Sequence, residues 1–285
     1  MSQDPFDFRP DPDRYAVMGD PIDHSLSPRI HTLFAEQTGQ ALTYEAIQVD
    51  QGGLAQALGN FGASGGRGAN ITVPLKERAY ALADELSDRA RLAGAVNTVT
   101  LTDGRLIADN TDGAGLVADL TENLGWPLAG ASILLVGAGG AARGVIAPLL
   151  EAGPARLLVV NRTPDRAREL ADHFRHLGPV EGGGLPAAQG PFDIIINATA
   201  ASLAAEVPDL PAEAIGEQTR VYDMMYGAEP TAFLGWAAAR GAAELADGLG
   251  MLVGQAAESF RIWRGVRPEA AAVLATLRQE LISGG

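Results

Sequence analysis

Short, β-rich apolar runs alternate with helical stretches along the first third of the chain: Tyr15 to Gly19, a helix opening at Pro28, Thr43 to Val49, a second helix, Gly68 to Thr72, then helices through Ala93. This alternation predicts a βα series. Two further extended runs, Asn97 to Leu101 and Arg105 to Asp109, are joined by Thr102-Asp103-Gly104, whose Asp-Gly pair signals a hairpin. A second βαβ series begins at Ala131 to Val136 and continues through Leu157 to Asn161, Asp193 to Ala198 and Arg220 to Asp223. Long helices close the chain over Leu249 to Trp263 and from Pro268 onward, where a proline suits the first helical turn. The pattern therefore predicts an α/β protein of two domains. No internal repeat is visible, and Glu181-Gly182-Gly183-Gly184 reads as a mobile loop.

Composition narrows the chemistry. At 285 residues and 47% hydrophobic, the chain can fill two cores. It contains no cysteine, which removes disulfides, thiolate nucleophiles and cysteine-bound metals together. His173 and His176 share a helical face, but a solvated helix surface explains them without a metal. A net charge of −14 argues against nucleic acid and acidic lipid as partners. No run approaches the length of a membrane span, and Met1 to Arg14 lacks the apolar core of a signal peptide, so a cytoplasmic location is expected.

Against this acidic background, cations beside glycine turns stand out. Ile133-Leu134-Leu135-Val136 runs directly into Gly137-Ala138-Gly139-Gly140-Ala141-Ala142-Arg143-Gly144, the order strand, glycine turn, helix. Glycines there allow a tight turn and close approach of backbone amides to a pyrophosphate at the helix N-terminus. The next strand ends in Asn161-Arg162-Thr163, with Arg166 one turn on, where an NAD site would carry an acidic residue for the ribose 2′-hydroxyl. Those guanidinium groups suit a 2′-phosphate, which predicts NADP(H) as cofactor.

The chain has twenty arginines and one lysine, Lys76, in the run Asn70-Ile71-Thr72-Val73-Pro74-Leu75-Lys76. A guanidinium cannot give up its proton in a protein, whereas an ammonium can be tuned into an acid or base, so this position points to proton transfer. Ser25 and Ser27 stand two apart in His24-Ser25-Leu26-Ser27-Pro28, which in an extended segment turns both hydroxyls the same way. Ser27 before Pro28 also reads as a helix N-cap, and two hydroxyls at a helix N-terminus can hold a carboxylate. Asn97 and Asp112 add an amide and a carboxylate, although such residues alone are often turn formers.

Taken with the strings AVNT at 95 to 98, DNTDG at 109 to 113, YDMMYG at 222 to 227 and DGLGMLVGQAA at 247 to 257, these segments make the chain resemble the shikimate dehydrogenases over nearly its whole length. The resemblance implies an N-terminal α/β substrate-binding domain, residues 1–112, completed by the helices of 249–285. Beside it would lie a Rossmann NADP-binding domain, residues 113–248, with catalysis in the cleft between. It implies reduction of 3-dehydroshikimate to shikimate with NADPH, in the biosynthesis of aromatic amino acids. Ser25 and Ser27 would hold the substrate carboxylate, and Thr72, Asn97, Asp112, Tyr226 and Gln255 would bond the ring hydroxyls and the carboxylate. Lys76 would supply the proton at C3, placed and held cationic by Asp112, either alone or with Asp112 as one coupled unit. Gly137, Ala138, Gly139, Gly140 and Ala141 would meet the pyrophosphate, Asn161, Arg162, Thr163 and Arg166 the adenosine phosphate, and Met224 and Gly248 the nicotinamide.

The expected partner is this small-molecule substrate, and a homodimer stays open as an assembly. A dehydrogenase acting on quinate, or on both acids, is the alternative within the superfamily, and a non-catalytic NADP-binding sensor is the alternative outside enzymology. One segment departs from the family: after Asn197-Ala198-Thr199 the usual serine, small residue and glycine are replaced by Ala200-Ala201-Ser202-Leu203.

Overall fold

The structure is a computed structural model that describes residues 11–199, 201 and 206–283. The Ala200–Leu203 departure lies, apart from Ala201, outside the described residues. The N-terminal series forms β1 (Asp13–Gly19), α1 (Ser27–Thr38), β2 (Leu42–Gln48), α2 (Leu54–Ala63), β3 (Gly66–Ile71), α3 (Lys76–Leu82), β4 (Glu85–Leu86), α4 (Asp88–Ala93), β5 (Thr98–Thr102) and β6 (Arg105–Asp109). The strands make one mixed sheet in the order β2-β1-β3-β5-β6-β4. Its period of two sorts the side chains. Ala16, Met18, Ala69, Ile71 and Val99 enter a core with Leu54, Leu58 and Phe61 of α2. Val17 and Asn70, one step out of phase, face the other way and reach the cleft.

The chain then runs through α5 (Asp112–Ala118), which continues as a π-helical turn over Asp119–Asn123, into β7 (Ser132–Val136), α6 (Gly140–Glu151), β8 (Arg156–Asn161), α7 (Pro164–Phe174), β9 (Val180–Gly184), β10 (Ile194–Asn197), β11 (Arg220–Asp223), α8 (Ala232–Ala238) and β12 (Glu244–Asp247). All six strands are parallel, in the order β12-β11-β10-β7-β8-β9. Uninterrupted apolar strands are what a sheet covered on both faces requires. In β7, β8 and β10, Ile133, Leu135, Leu157, Val159, Ile194 and Ile196 fill one core, while Leu134, Val136, Leu158, Val160 and Ile195 fill the opposite one. This is the doubly wound nucleotide-binding order, with its topological switch between β7 and β10.

The closing helices are α9 (Leu249–Arg264) and α10 (Ala270–Ser283). They return to the first domain: Leu249, Val253, Ala256 and Phe260 of α9 bury Ile30 and Phe34 of α1, together with Val273 and Leu277 of α10. The crossing of α9 with α5 is close because Gly115 has no side chain. A Cβ there would lie 2.5 Å from the Gln255 backbone nitrogen and 2.7 Å from the Met251 carbonyl oxygen. Tyr15 stacks on Trp263 at 4.7 Å between ring centroids, tying β1 to the end of α9.

Several expectations are corrected. The segment at 181–184 is no loop but part of strand β9, paired in register with β8. Its glycines serve packing, since a Cβ on Gly182 would sit 2.2 Å from the Ala167 carbonyl oxygen of α7. Ser27 does not cap α1: Leu26 holds the N-cap position, Ser27 is the first helical residue, and no side-chain cap bond forms. The segment before it is a turn rather than extended chain, closed by Ser25 N–H to the Ile22 carbonyl at 3.0 Å, and the Ser27 N–H donates to Ser25 Oγ at 3.3 Å. The last helix begins at Ala270, two residues beyond Pro268. The exposed pattern at Glu244–Asp247 hid β12, whose Glu244 and Leu245 face solvent at the sheet edge.

Candidate active site

A cavity of about 310 Å³ opens between the two domains. Lys76 stands at the first position of α3, and its Nζ donates to Asp112 Oδ2, at the first position of α5, at 2.6 Å. The two side chains are 25% and 7% exposed. Taking two such charges out of water costs several kcal/mol per ion, and an apolar pair of the same volume is often as stable, so this pair is poorly explained by stability alone.

Asn97 joins the pair to α9. Its Nδ2 hydrogens are shared among Asp112 Oδ1 at 2.8 Å, Thr111 Oγ1 at 2.9 Å and Gln255 Oε1 at 3.2 Å. Its Oδ1 accepts from the Thr111 N–H at 2.8 Å and from Thr98 Oγ1 at 2.9 Å. Beneath it lies a buried polar layer: Asn70 Nδ2 faces the Asn97 carbonyl, Thr98 Oγ1 and Ser259 Oγ at 3.0, 3.2 and 2.9 Å, while Tyr44 donates to Asn70 Oδ1 at 2.7 Å. Asn70 therefore spends its amide on protein partners and acts as a strut beneath the cavity.

All the residues expected at the substrate line this one cavity: Ser25, Ser27, Thr72, Lys76, Asn97, Asp112, Tyr226 and Gln255, with Met224 and Gly248 beside them. Burial, and after it the nearby Asp247 carboxylate, push the Tyr226 hydroxyl above its usual range, so it presents a donor. Sequence reasoning missed His24, Asn70, Met251 and Leu252 on the same walls. His24 and Asn70 lie inside the very strings that carry the serines and Lys76, and that adjacency was the available signal.

A second cavity of about 580 Å³ is lined by Val136, Gly137, Asn161, Arg162 and Thr199 among others. Gly137 has φ +113°, a backbone state that side-chain-bearing residues rarely adopt, and its N–H donates to the Val160 carbonyl at 2.7 Å. Gly139, in extended conformation, leads into α6 at Gly140, and added Cβ atoms at both would meet nothing within 4 Å. The helix N-terminus thus faces open space with no side-chain cap among the described residues, a shape that fits a pyrophosphate. Asn161 ends β8, and its Nδ2 donates to the Thr163 carbonyl at 3.1 Å. Asp165, the acid that could have neutralised this corner, is paired with Arg168 at 2.7 Å. Arg162 and Arg166 are exposed and make no ion pair among the described residues, so two cations stand available where a 2′-phosphate would lie. Ala138, Gly139, Gly140, Ala141, Thr163 and Arg166 are not in the wall of this groove but flank it along the turn and the start of α7.

Fold and site together define a two-domain α/β dinucleotide-dependent oxidoreductase. Three family models match in chain order: the shikimate dehydrogenase substrate binding domain over residues 17–99, shikimate / quinate 5-dehydrogenase over 119–209, and the shikimate 5′-dehydrogenase C-terminal domain over 248–278. The shikimate dehydrogenase (NADP(+)) of Alkalilimnicola ehrlichii is 55% identical over 268 residues, which cover 94% of this chain and 99% of that one. Among solved structures, an Ael1 enzyme from Pseudomonas putida superposes with a TM-score of 0.89 at 47% identity, covering 93% and 98% of the two chains. The shikimate 5-dehydrogenase of Thermus thermophilus, in complex with NADP(H) and shikimate, superposes with a TM-score of 0.84 at 37% identity, covering 94% and 100%. This chain belongs to the shikimate dehydrogenase family.

Proposed function

We propose that this chain reduces 3-dehydroshikimate to shikimate with NADPH, reversibly, in the cytoplasm as part of aromatic amino-acid biosynthesis. The observation that carries the reading is the Lys76–Asp112 pair, the chain's one lysine held on a carboxylate inside the interdomain cavity. We assign residues 1–112 and 249–285 to the substrate and 113–248 to the cofactor. Ser25 and Ser27 face the substrate carboxylate. Thr72, Asn97, Tyr226 and Gln255 bond the hydroxyls and carboxylate around the ring, and Asp112 bonds both a ring hydroxyl and Lys76. Bound NADPH supplies the hydride to C3.

Lys76 hands a proton from Nζ to the C3 oxygen as that oxygen gains charge. Asp112 orients the ammonium and is itself held by Asn97, so the donor stays in place without reorganising at the moment of reaction. The amides from Gly137 to Ala141 with the N-terminus of α6 hold the pyrophosphate, Asn161, Arg162, Thr163 and Arg166 hold the 2′-phosphate end, and Met224 and Gly248 flank the nicotinamide. In a chain of net charge −14, these local cations are what admit an anionic substrate and cofactor. Whether a homodimer forms is read by sedimentation.

The test follows NADPH absorbance with 3-dehydroshikimate, with 3-dehydroquinate and NADH in parallel. Rapid oxidation with NADPH and 3-dehydroshikimate is the expected result. Preference for dehydroquinate moves the assignment to quinate, and silence with every pair overturns catalysis in favour of an NADP-binding sensor.

A further inference from the structure

The C-terminal helix reaches back across the molecule to the turn that carries Gly248. Arg278 of α10 grips Asp247, the last residue of β12, with both ends of its guanidinium: Nη1 donates to Oδ2 at 2.7 Å and Nη2 to Oδ1. The Asp247 side chain is 10% exposed and Arg278 38%, so the pair is sheltered on the carboxylate side. Asp247 Oδ1 also accepts from the Leu249 N–H at 3.2 Å, at the start of α9. Gly248, between these two, provides no side-chain cap of its own. The turn has little room to shift, because a Cβ on Gly248 would lie 2.1 Å from the Met224 carbonyl oxygen, and the Gly248 N–H donates to the Met225 carbonyl at 3.1 Å. Gly248 and Met224 both line the interdomain cavity.

We propose that Arg278 is a positioning residue for the nicotinamide half of the cofactor: through Asp247 it holds the β12–α9 turn so that Gly248 stays packed on Met224. The inference rests on the reading of this cavity as the nicotinamide and substrate site. A bidentate guanidinium suits the task because it locks both the position and the plane of the carboxylate, which a single ammonium cannot do. Removing it frees Asp247 to rotate away from the Leu249 N–H and loosens the turn on one side of the ring, while the adenosine end, held by α6 and Arg162, is untouched.

The experiment compares the full chain with Arg278→Met and Arg278→Lys. Wild-type turnover of NADPH with 3-dehydroshikimate comes first; its absence would sink the functional reading itself and the proposal with it. Given wild-type turnover, KM for NADPH should rise about fivefold in Arg278→Met, the effect of losing a partly exposed but bidentate pair. Arg278→Lys should recover only part of it. The inhibition constant of 2′,5′-ADP, which has the phosphate end without nicotinamide, should stay unchanged in both variants. A KM for NADPH equal to wild type would overturn the proposal, and so would equal weakening of NADPH and 2′,5′-ADP, which marks a general structural effect. Melting temperatures of the variants separate a local loosening from misfolding, since an intact fold is expected for a pair at the surface of α10.

Discussion

Lys76 Nζ rests 2.6 Å from Asp112 Oδ2, although the two residues open different helices, α3 and α5, with the β5–β6 hairpin between them in sequence. The Asn97 amide, one residue before β5, bonds the other Asp112 oxygen and so helps hold the pair in place.

Lys76→Ala should lower kcat by orders of magnitude with a modest change in KM for NADPH, since general acid catalysis contributes about 10²- to 10⁴-fold. Asp112→Asn should fall in the same range, and the double variant should lose little beyond either single one, because groups acting as a unit are strongly non-additive. Steady-state kinetics decides; near-normal turnover in Lys76→Ala would remove the proton-transfer role.

Arg162 is expected to carry the cofactor preference. Arg162→Ser should weaken NADPH by about 10- to 100-fold, the equivalent of one or two charge-assisted bonds, and leave NADH nearly unaffected. The measurement is kcat/KM with each cofactor, and a parallel loss with NADH would contradict a contact to the 2′-phosphate.

His31 should govern part of the acid stability. It is fully buried, stacked on Tyr44 at 4.1 Å between centroids, and neither ring nitrogen has a hydrogen-bond partner among the described residues. Burial pushes its pKa from 6.5 down to about 3, with Asn70 acting in the opposite direction. The unfolded chain therefore takes up a proton that the folded chain refuses. The contribution of His31 to stability is full above about pH 6.5 and falls as pH drops, by about 1.4 kcal/mol per unit, until the folded value is reached. In His31→Phe the slope of unfolding free energy against pH between 6 and 4 should be shallower by about one proton. An unchanged slope in denaturant titrations would show that His31 is not the group responsible.

Gly115→Ala tests the α5–α9 crossing. The new methyl would press on the Gln255 nitrogen and Met251 oxygen, moving backbone rather than a flexible side chain. A loss of about 1–3 kcal/mol is expected on overpacking grounds, with a rise in KM for 3-dehydroshikimate because Gln255 rides on α9. Thermal unfolding together with KM checks it; wild-type values for both would mean the helices separate at no cost.

Much of this architecture was readable along the chain because it depends on local periodicity. β7 announced itself by four consecutive apolar residues, the hairpin by Asp103-Gly104, and the nucleotide turn by Gly137 to Gly140, each needing only neighbours in sequence to be recognised. The singular Lys76 stood out by contrast with twenty arginines. Where partners came from afar, the local signal misled. Glu181 to Gly184 read as loose because glycine-rich segments usually are, yet Gly182 lacks a side chain so that α7 can lie against β9. Ser27 had the look of a cap, but the turn at Ile22 to Ser25 starts α1 one residue earlier.

The sequence by itself determined the alternation of strands and helices, the glycine turn, the two arginines after β8 and the presence of one tunable amine. Only the tertiary structure decided that Lys76, Asn97, Asp112, Tyr226 and Gln255 share one cavity, that Asn70 faces inward on protein partners, and that Arg278 reaches Asp247. Periodicity describes which face of an element is apolar. Which faces meet is settled by close packing of segments far apart in sequence, and here α9, crossing α5 at Gly115 and burying α1, makes that choice.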